Sequence, residues 1–265
     1  DLYPMIKILF LGDINGKIGR EAVKKLLPKL RREHKPDLVI ANGENMAHGT
    51  GFTESTIKEL IEAGVDWFTS GDHSFDKEKK VEAIFADDYP IGVPGQGYAV
   101  IDIRGGRNVL LINLLGRVFM QMDYDCPFRK LDEILANKDL AGNNYSAIIV
   151  DIHAEATAEK IALGLYADGR ISAMLGTHTH VMTADAKITE QGMAYITDVG
   201  MVGAADEFIG VQREGIIKTF LTQIKYPHVI PEKGKAILNA VLVEINTKTK
   251  KATNIKPIAK FIEIK

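Results

Sequence analysis

Residues 171–180 read Ile-Ser-Ala-Met-Leu-Gly-Thr-His-Thr-His, an apolar run that passes directly into a pair of histidines. The run predicts a short β-strand, and imidazoles two residues apart at the end of a strand can each reach a metal in one cluster. His178 and His180 also stand beside small polar threonines, where two imidazoles are costly to desolvate without a partner such as a metal. We interpret this stretch as a strand that ends in a metal-binding pair.

Short apolar runs recur along the chain and alternate with segments of helical period, which is typical of a layered α/β domain. Many are apolar throughout, as expected for strands that are buried on both faces. Besides 171–175, the predicted strands are 6–11, 37–41, 67–70, 109–114, 147–150 and 194–197. The predicted helices are 20–34, 53–63, 76–85, 128–136 and 156–166. Residues 235–246 and 256–265 alternate like strands, which predicts a C-terminal antiparallel hairpin.

Further candidate ligands follow other predicted strands. They are Asp13 after the first strand, Glu44 and Asn45 after the second, Asp72 and His73 after the third, and His153 after a later one. Ligands of an α/β sheet gather at the carboxyl ends of its strands, so these segments can converge with the histidine pair on one point. Alone, a strand-end Asp is more often a turn residue and a single His a satisfied polar group. Together they predict a two-metal hydrolase.

The composition is that of an ordinary globular protein. The 265 residues are 46% hydrophobic and 26% charged, enough to bury a substantial core. We predict one domain over residues 5–265, with a small loop-rich elaboration around 77–108, where proline and glycine are dense. The formal net charge is -2 and no long block carries one sign, so no nucleic-acid tract is visible.

Several features of the sequence indicate the cellular compartment of the protein. Cys126 is the one cysteine, which excludes an intrachain disulfide framework and fits a reducing compartment. The first residues lack the pattern of a secretory signal, and no stretch approaches the roughly 18 consecutive apolar residues of a membrane span. We therefore expect a cytoplasmic protein with no membrane partner.

Two phosphate-binding motifs are excluded. Gly12-Asp-Ile-Asn-Gly-Lys17 is one residue short between its glycines for a P-loop, and no Ser or Thr follows the lysine. Glycines at 12, 16 and 19 also miss the spacing of a dinucleotide-binding site.

Seven short motifs follow one another in the order found in a single family. They are Gly12-Asp-Ile14, Asn42-Gly-Glu-Asn45, Gly71-Asp-His-Ser-Phe-Asp76, Asp125-Cys-Pro-Phe-Arg129, His153-Ala-Glu-Ala-Thr157, Gly176-Thr-His-Thr-His180 and Ile196-Thr-Asp-Val-Gly-Met201. In this combination the sequence, from about Met5 to the C-terminal hairpin, resembles the YmdB-like metallophosphoesterases, a branch of the calcineurin-like phosphoesterases. The resemblance implies a four-layer α/β sandwich, with two mixed β-sheets flanked by helices, and hydrolysis of 2′,3′-cyclic nucleotides at a di-iron centre.

The resemblance also implies a role for each candidate residue. One metal would be held by Asp13, Glu44, Asn45 and His180, and the other by Glu44, Asp72, His153 and His178. Glu44 would bridge the two ions, and His73 matches the family's proton donor. Asp13-Ile-Asn15 lacks the histidine with which the wider superfamily continues, in agreement with the YmdB-like branch. Asp72 stands where that branch usually carries Asn.

The expected function is a metal-dependent phosphodiesterase in which a hydroxide bridging two metals attacks a 2′,3′-cyclic nucleotide or another small phosphodiester. Imidazole and carboxylate ligands suit Fe, Mn, Zn or Co, and iron is implied by the resemblance alone. Two alternatives stay open: a phosphomonoesterase on the same metal core, and a metal-stabilised regulatory scaffold that binds RNA or protein. The sequence also leaves open whether the chain forms a homo-oligomer.

Overall fold

The computed structural model describes residues 5–74, 97–137, 140 and 144–265 of the chain. Its strands are β1 (Met5–Leu11), β2 (Asp13–Ile14), β3 (Leu38–Asn42), β4 (Trp67–Thr69), β5 (Tyr98–Ile103), β6 (Arg107–Leu115), β7 (Ala147–His153), β8 (Ala173–Thr177), β9 (Lys187–Ile188), β10 (Ala194–Ile196), β11 (Met201–Ala204), β12 (Gly234–Asn246) and β13 (Ala252–Ile264). Its helices are α1 (Gly16–His34), α2 (Glu54–Ala63), α3 (Pro127–Ala136), α4 (Thr157–Ala167) and α5 (Arg213–Thr222). None of these helices combines the length and the apolar character that crossing a membrane requires.

The strands form two mixed β-sheets. The first sheet has the order β2-β11-β12-β1-β3-β4, with β13 paired along β12. In it, β1, β3 and β4 are parallel, whereas β12 is antiparallel to β1, β11 and β13. The second sheet has the order β5-β6-β7-β8-β10-β9, with four parallel central strands and an antiparallel strand at each edge. Parallel strands end at the same edge of a sheet, so the loops that follow them lie close together.

Among the described residues, three apolar clusters fill the spaces between four layers, and β1 contributes side chains to two of them. Leu9 and Leu11 share a cluster with Val23 of α1, on the helical side of the first sheet. Ile8 and Phe10 belong to the cluster between the two sheets. A third cluster packs α3 and α4 against the second sheet. Because successive side chains point to opposite faces, a strand covered on both sides must be apolar at nearly every position. This arrangement confirms the predicted α/β sandwich.

Most predicted elements are present. Each of the seven predicted strands outside the hairpin is present within three residues of its predicted bounds, and the C-terminal hairpin is formed by β12 and β13. The predicted helix 76–85 and the part of the predicted loop-rich segment up to residue 96 lie outside the described residues. Residues 98–103 of that segment form β5, a strand that the sequence pattern did not predict.

Helix α1 begins at Gly16, four residues before the predicted start. Gly16 and Gly19 are poor helix formers, which concealed the first turn in the sequence. The first turn packs tightly against β11, where a Cβ at Gly19 would lie 2.3 Å from the carbonyl oxygen of Val202. Glycine at position 19 therefore reflects the close approach of helix and sheet.

Candidate metal centre

The candidate ligands come from both sheets and meet at one edge of the sandwich. The first sheet supplies Asp13 at the start of β2, Glu44 and Asn45 after β3, and Asp72 after β4. The second supplies His153 at the end of β7, and His178 and His180 after β8. Two groups of potential ligands result: Glu44, Asp72, His153 and His178 in one, and Asp13, Glu44 and His180 in the other. Within each group the ligand atoms lie within 4.8 Å of one another, and Glu44 belongs to both. The structure brings the predicted residues together; their role as ligands stays a prediction.

In the first group, three ligand atoms surround Nε2 of His153. This nitrogen lies 3.1 Å from Oε2 of Glu44, 3.1 Å from Oδ1 of Asp72 and 3.0 Å from Nδ1 of His178. His153 and Glu44 are 0% and 1% exposed. Buried carboxylates and imidazole nitrogens that face one another need a positive charge between them. A mixed set of carboxylate and imidazole donors is suited to a divalent transition metal.

In the second group, Asp13 has an oxygen that the described residues leave unsatisfied. Its Oδ1 is buried and accepts no hydrogen bond from the described residues, and Nδ1 of His153 is 3.8 Å away. Buried carboxylate oxygens normally have a partner, and a metal would provide one. Nδ2 of Asn45 donates to Oε1 of Glu44 at 2.6 Å and lies 3.2 Å from Nε2 of His180. Rotation of the amide would present the Asn45 oxygen at the same point, so this residue can also serve as a ligand.

Gly71 leaves open the space beside the ligand atoms of the first group. A Cβ at this position would lie 2.1 Å from Oε2 of Glu44 and 2.3 Å from Nε2 of His153, far inside normal contact distance. No residue with a side chain fits here without displacing the candidate ligands. The donor types, the unsatisfied oxygen of Asp13 and this open space together fit metal binding.

The ring nitrogen of His153 that faces away from the cluster is held by a hydrogen-bonded chain. The Thr177 hydroxyl donates to Oδ1 of Asp151 at 2.7 Å. Nδ1 of His153 lies 2.9 Å from the same hydroxyl oxygen and must therefore donate to it. Asp151 is fully buried and also accepts from the Thr69 hydroxyl at 2.5 Å. The chain leaves the lone pair of His153 on Nε2, facing the cluster.

The other two histidines are held in the same way. Nε2 of His178 lies 3.1 Å from Oε2 of Glu155, which leaves Nδ1 facing the cluster. Nδ1 of His180 donates to the carbonyl of Ile209 at 2.8 Å, which leaves Nε2 facing the cluster. Histidines that bind metals typically donate their second nitrogen to a carboxylate, carbonyl or other acceptor. All three histidines thus have the hydrogen bonding of metal ligands.

The segment that carries His178 and His180 is secured by a buried ion pair. Both residues have left-handed backbone conformations, with φ of 100° and 66°, which non-glycine residues rarely adopt. Nζ of Lys160, on α4, donates to the carbonyl just before His178 at 2.6 Å and to Oδ2 of Asp198 at 2.8 Å. The same Asp198 oxygen accepts from the amide just after His178 at 3.0 Å. Both members of the pair are fully buried, so they fix the segment from within the protein.

The charges of the cluster alter the pKa of its members. Burial raises the pKa of Asp13. Burial alone would also raise the pKa of Glu44 and of Asp72, but neighbouring imidazoles lower both, His153 chiefly for Glu44 and His153 together with His178 for Asp72. Burial alone would lower the pKa of His153, but the neighbouring carboxylates raise it well above its ordinary value. A proton on His153 therefore competes with a metal for the same nitrogen.

His73 lies at the border of the cluster. Its amide donates to Oε2 of Glu44 at 3.4 Å, and its side chain is half-buried. The charge of its imidazole is one of the causes that lower the pKa of Glu44, so the ring is close to the candidate ligands. This position suits proton exchange with a bound substrate, a role that stays a prediction.

Sequence reasoning missed the residues that support the ligands. Asp151 had a signal, because a carboxylate interrupts the otherwise apolar strand 147–153. Asp198 lies within the motif 196–201, but the sequence did not indicate its role. Glu155 lies two residues after His153, also within a quoted motif. Lys160 had no signal, because a lysine in the first turn of a helix is usually exposed.

Comparison with known proteins gives matches over nearly the whole chain. The family model described as YmdB-like protein matches residues 9–258. The chain is 45% identical over 262 residues to the 2′,3′-cyclic-nucleotide 2′-phosphodiesterase of Bacillus subtilis (strain 168), covering 96% of each chain. It is similar to the crystal structure of a hypothetical protein from Thermus thermophilus, with 38% identity, a TM-score of 0.87, and 97% of this chain and 99% of that chain covered. It is also similar to a novel phosphatase from Mycoplasma pneumoniae, with 33% identity, a TM-score of 0.89, and coverage of 98% and 95%.

Proposed function

Because this chain belongs to the YmdB-like protein family, we propose that it is a metal-dependent phosphodiesterase that hydrolyses 2′,3′-cyclic nucleotides. The activity named for the relative from Bacillus subtilis supports the choice of substrate. The observation that carries the proposal is the pair of ligand groups that share Glu44.

Two metal ions fit these groups. Asp13, Glu44, Asn45 and His180 would hold one ion, and Glu44, Asp72, His153 and His178 would hold the other. We propose iron for both, on the family resemblance. Two ions held by these residues would supply a nucleophile for attack on phosphorus and positive charge against the phosphoryl oxygens.

The residues of the chain contribute orientation and a proton. The hydrogen bonds on the outer nitrogens of the three histidines hold the imidazoles in place before substrate binds. During hydrolysis the bond from phosphorus to one ribose oxygen breaks, and that oxygen must gain a proton. His73, next to the cluster, is the proposed donor. Proton donation of this kind is worth about 10²- to 10⁴-fold in rate.

Metal analysis and a substrate panel test the proposal together. The loaded protein should contain two ions per chain and should hydrolyse 2′,3′-cyclic AMP much faster than a phosphomonoester such as p-nitrophenyl phosphate. Glu44→Ala should lose both ions, whereas His180→Ala should chiefly lose one, because only Glu44 belongs to both groups. A preference for the monoester would favour a phosphomonoesterase. Full metal content without turnover of any phosphoester would favour a regulatory scaffold.

A further inference from the structure

A cavity of about 660 Å³ lies beside His180. Its other walls come from the loop 181–186, the segment between β11 and α5, and the strands β12 and β13. The lining is largely apolar and includes Met182, Met201, Ile209 and Ile237. The volume is in the range of small-molecule sites, about 300–1,000 Å³. His180 also belongs to the second ligand group, so the cavity adjoins the candidate metal centre.

One buried polar side chain in the cavity wall has no partner among the described residues. Asn239 of β12 lines the cavity and is 5% exposed. Its backbone carbonyl accepts from Gly12, but within the described part of the chain its side-chain amide makes no hydrogen bond. Buried amides are normally paired, so this one is available to a ligand that supplies both a donor and an acceptor.

The charge of the lining indicates a neutral occupant. The described residues that line the cavity include Glu207, whose carboxylate accepts from the Arg213 amide at 2.9 Å, but no lysine or arginine. An anionic group such as a second phosphate would normally be met by cationic side chains. The part of a nucleotide that is neutral, flat and rich in donors and acceptors is its base.

We propose that this cavity binds the base of the nucleotide whose phosphate lies at the metal centre, an inference that rests on the proposed function. The Asn239 amide would pair with the edge of the base, since asparagine can donate to and accept from adjacent atoms of adenine. Met182 and Met201 would contact its faces, as flexible thioethers do with aromatic rings. Asn239 is then a residue that determines substrate specificity, whereas the metal ligands act on any phosphodiester.

Two substrates, one with a base and one without, distinguish recognition of the base from hydrolysis of the phosphodiester. Asn239→Ala should lower kcat/KM for 2′,3′-cyclic AMP about 5- to 100-fold, the discrimination typical of one well-placed amide, and mainly by raising KM. Hydrolysis of bis(p-nitrophenyl) phosphate, which has no base, should change less than about twofold. Asn254→Ala, at an exposed position of β13, is the matched control and should leave both substrates unchanged.

A second variant and a direct binding measurement test the proposal even if Asn239→Ala fails to fold. Ala259 lies opposite Asn239 in the β12–β13 pairing, lines the same cavity and is exposed, so Ala259→Trp should fill the cavity without disturbing the core. This variant should bind adenosine, which lacks a phosphate, at least tenfold more weakly than the unmodified chain by calorimetry. Equal losses on both substrates with unchanged adenosine binding would overturn the base site. Failure of the unmodified chain to hydrolyse either diester would instead overturn the proposed function.

Discussion

At the scale of single residues, the hydroxyl of Thr177 connects Asp151 to the imidazole of His153. Thr177→Val keeps the shape of the side chain but removes both hydrogen bonds, so His153 is no longer fixed with its lone pair toward the cluster. We expect metal affinity to fall about 10- to 100-fold, measured by calorimetric titration of the metal-free protein. Thr179→Val is the control, because the Thr179 hydroxyl makes no hydrogen bond to a described residue. Equal affinity in both variants would contradict the role of this chain of hydrogen bonds.

His73 can be tested through the leaving group. His73→Gln should keep both metal ions but reduce hydrolysis of 2′,3′-cyclic AMP about 10²- to 10⁴-fold, because a ribose oxygen needs a proton to depart. The loss should be much smaller for bis(p-nitrophenyl) phosphate, whose nitrophenolate departs without protonation. His228→Gln, at an exposed histidine in the segment between α5 and β12, is the control. Equal losses on the two substrates would mean that His73 positions the substrate and does not donate a proton.

At the scale of elements, the ion pair of Lys160 and Asp198 joins α4 to the segment after β8. Lys160→Met leaves a buried carboxylate without its partner, so we expect a loss of about 3–5 kcal/mol in the free energy of unfolding, measured with urea. The comparison is Lys7→Met, which breaks a pair of the same 2.8 Å length whose side chains are 41% and 25% exposed. That loss should stay below about 1 kcal/mol. Similar losses in the two variants would show that burial does not strengthen the inner pair.

Asp185 ties the loop 181–186 to the end of β10, and its contribution depends on pH. Oδ1 accepts from the Thr183 hydroxyl at 2.7 Å and Oδ2 from the Thr197 hydroxyl at 2.5 Å. Burial alone would raise the pKa of Asp185, but these hydrogen bonds outweigh it and lower the pKa below the ordinary 3.8. A carboxyl whose pKa is lowered by folding stabilises the protein above its ordinary pKa, and this stabilisation is lost as the pH falls through the folded pKa.

Asp185→Asn should therefore cost about 1–2 kcal/mol of unfolding free energy at pH 7 and progressively less below about pH 4. Denaturation of metal-free protein at both pH values measures the difference without the effect of metal release. A cost that stays the same at about pH 3 would mean that the carboxylate charge contributes nothing.

The burial of each element explains which elements the sequence could predict. The central strands are buried on both faces and therefore stand out as continuous apolar runs. β5 is an edge strand with several exposed or half-buried residues, so no such run marks it. Candidate ligands were predictable because they directly follow strands. Lys160 was not, because its partner Asp198 lies on another element and the pairing depends on how the layers pack. Asp151 stood out as a carboxylate in an apolar strand, but its partner Thr177 lies on another strand, so its role was not predictable.

At the scale of the whole molecule, the proposed ions would join the two sheets. Asp13, Glu44 and Asp72 belong to the first sheet, whereas His153 and His178 belong to the second. Binding should therefore stabilise the folded chain by about 4 kcal/mol at a metal concentration about 1,000 times Kd. Removal of the metal with a chelator should lower Tm by roughly 10 °C in calorimetry. The chelator should leave the Tm of Glu44→Ala almost unchanged, and an equal shift in that variant would argue against metal at these ligands.

The apolar cluster between the sheets also offers a route by which such a protein can evolve. Phe10 and Ala173 are fully buried in that cluster, and Ala173 begins the strand that leads to His178. A larger residue at position 173 would shift β8 relative to the first sheet, and with it the separation of ligands that come from different sheets. Lineages that keep every ligand can therefore diverge in metal preference or rate through substitutions deep in the interior, without any change at the centre itself.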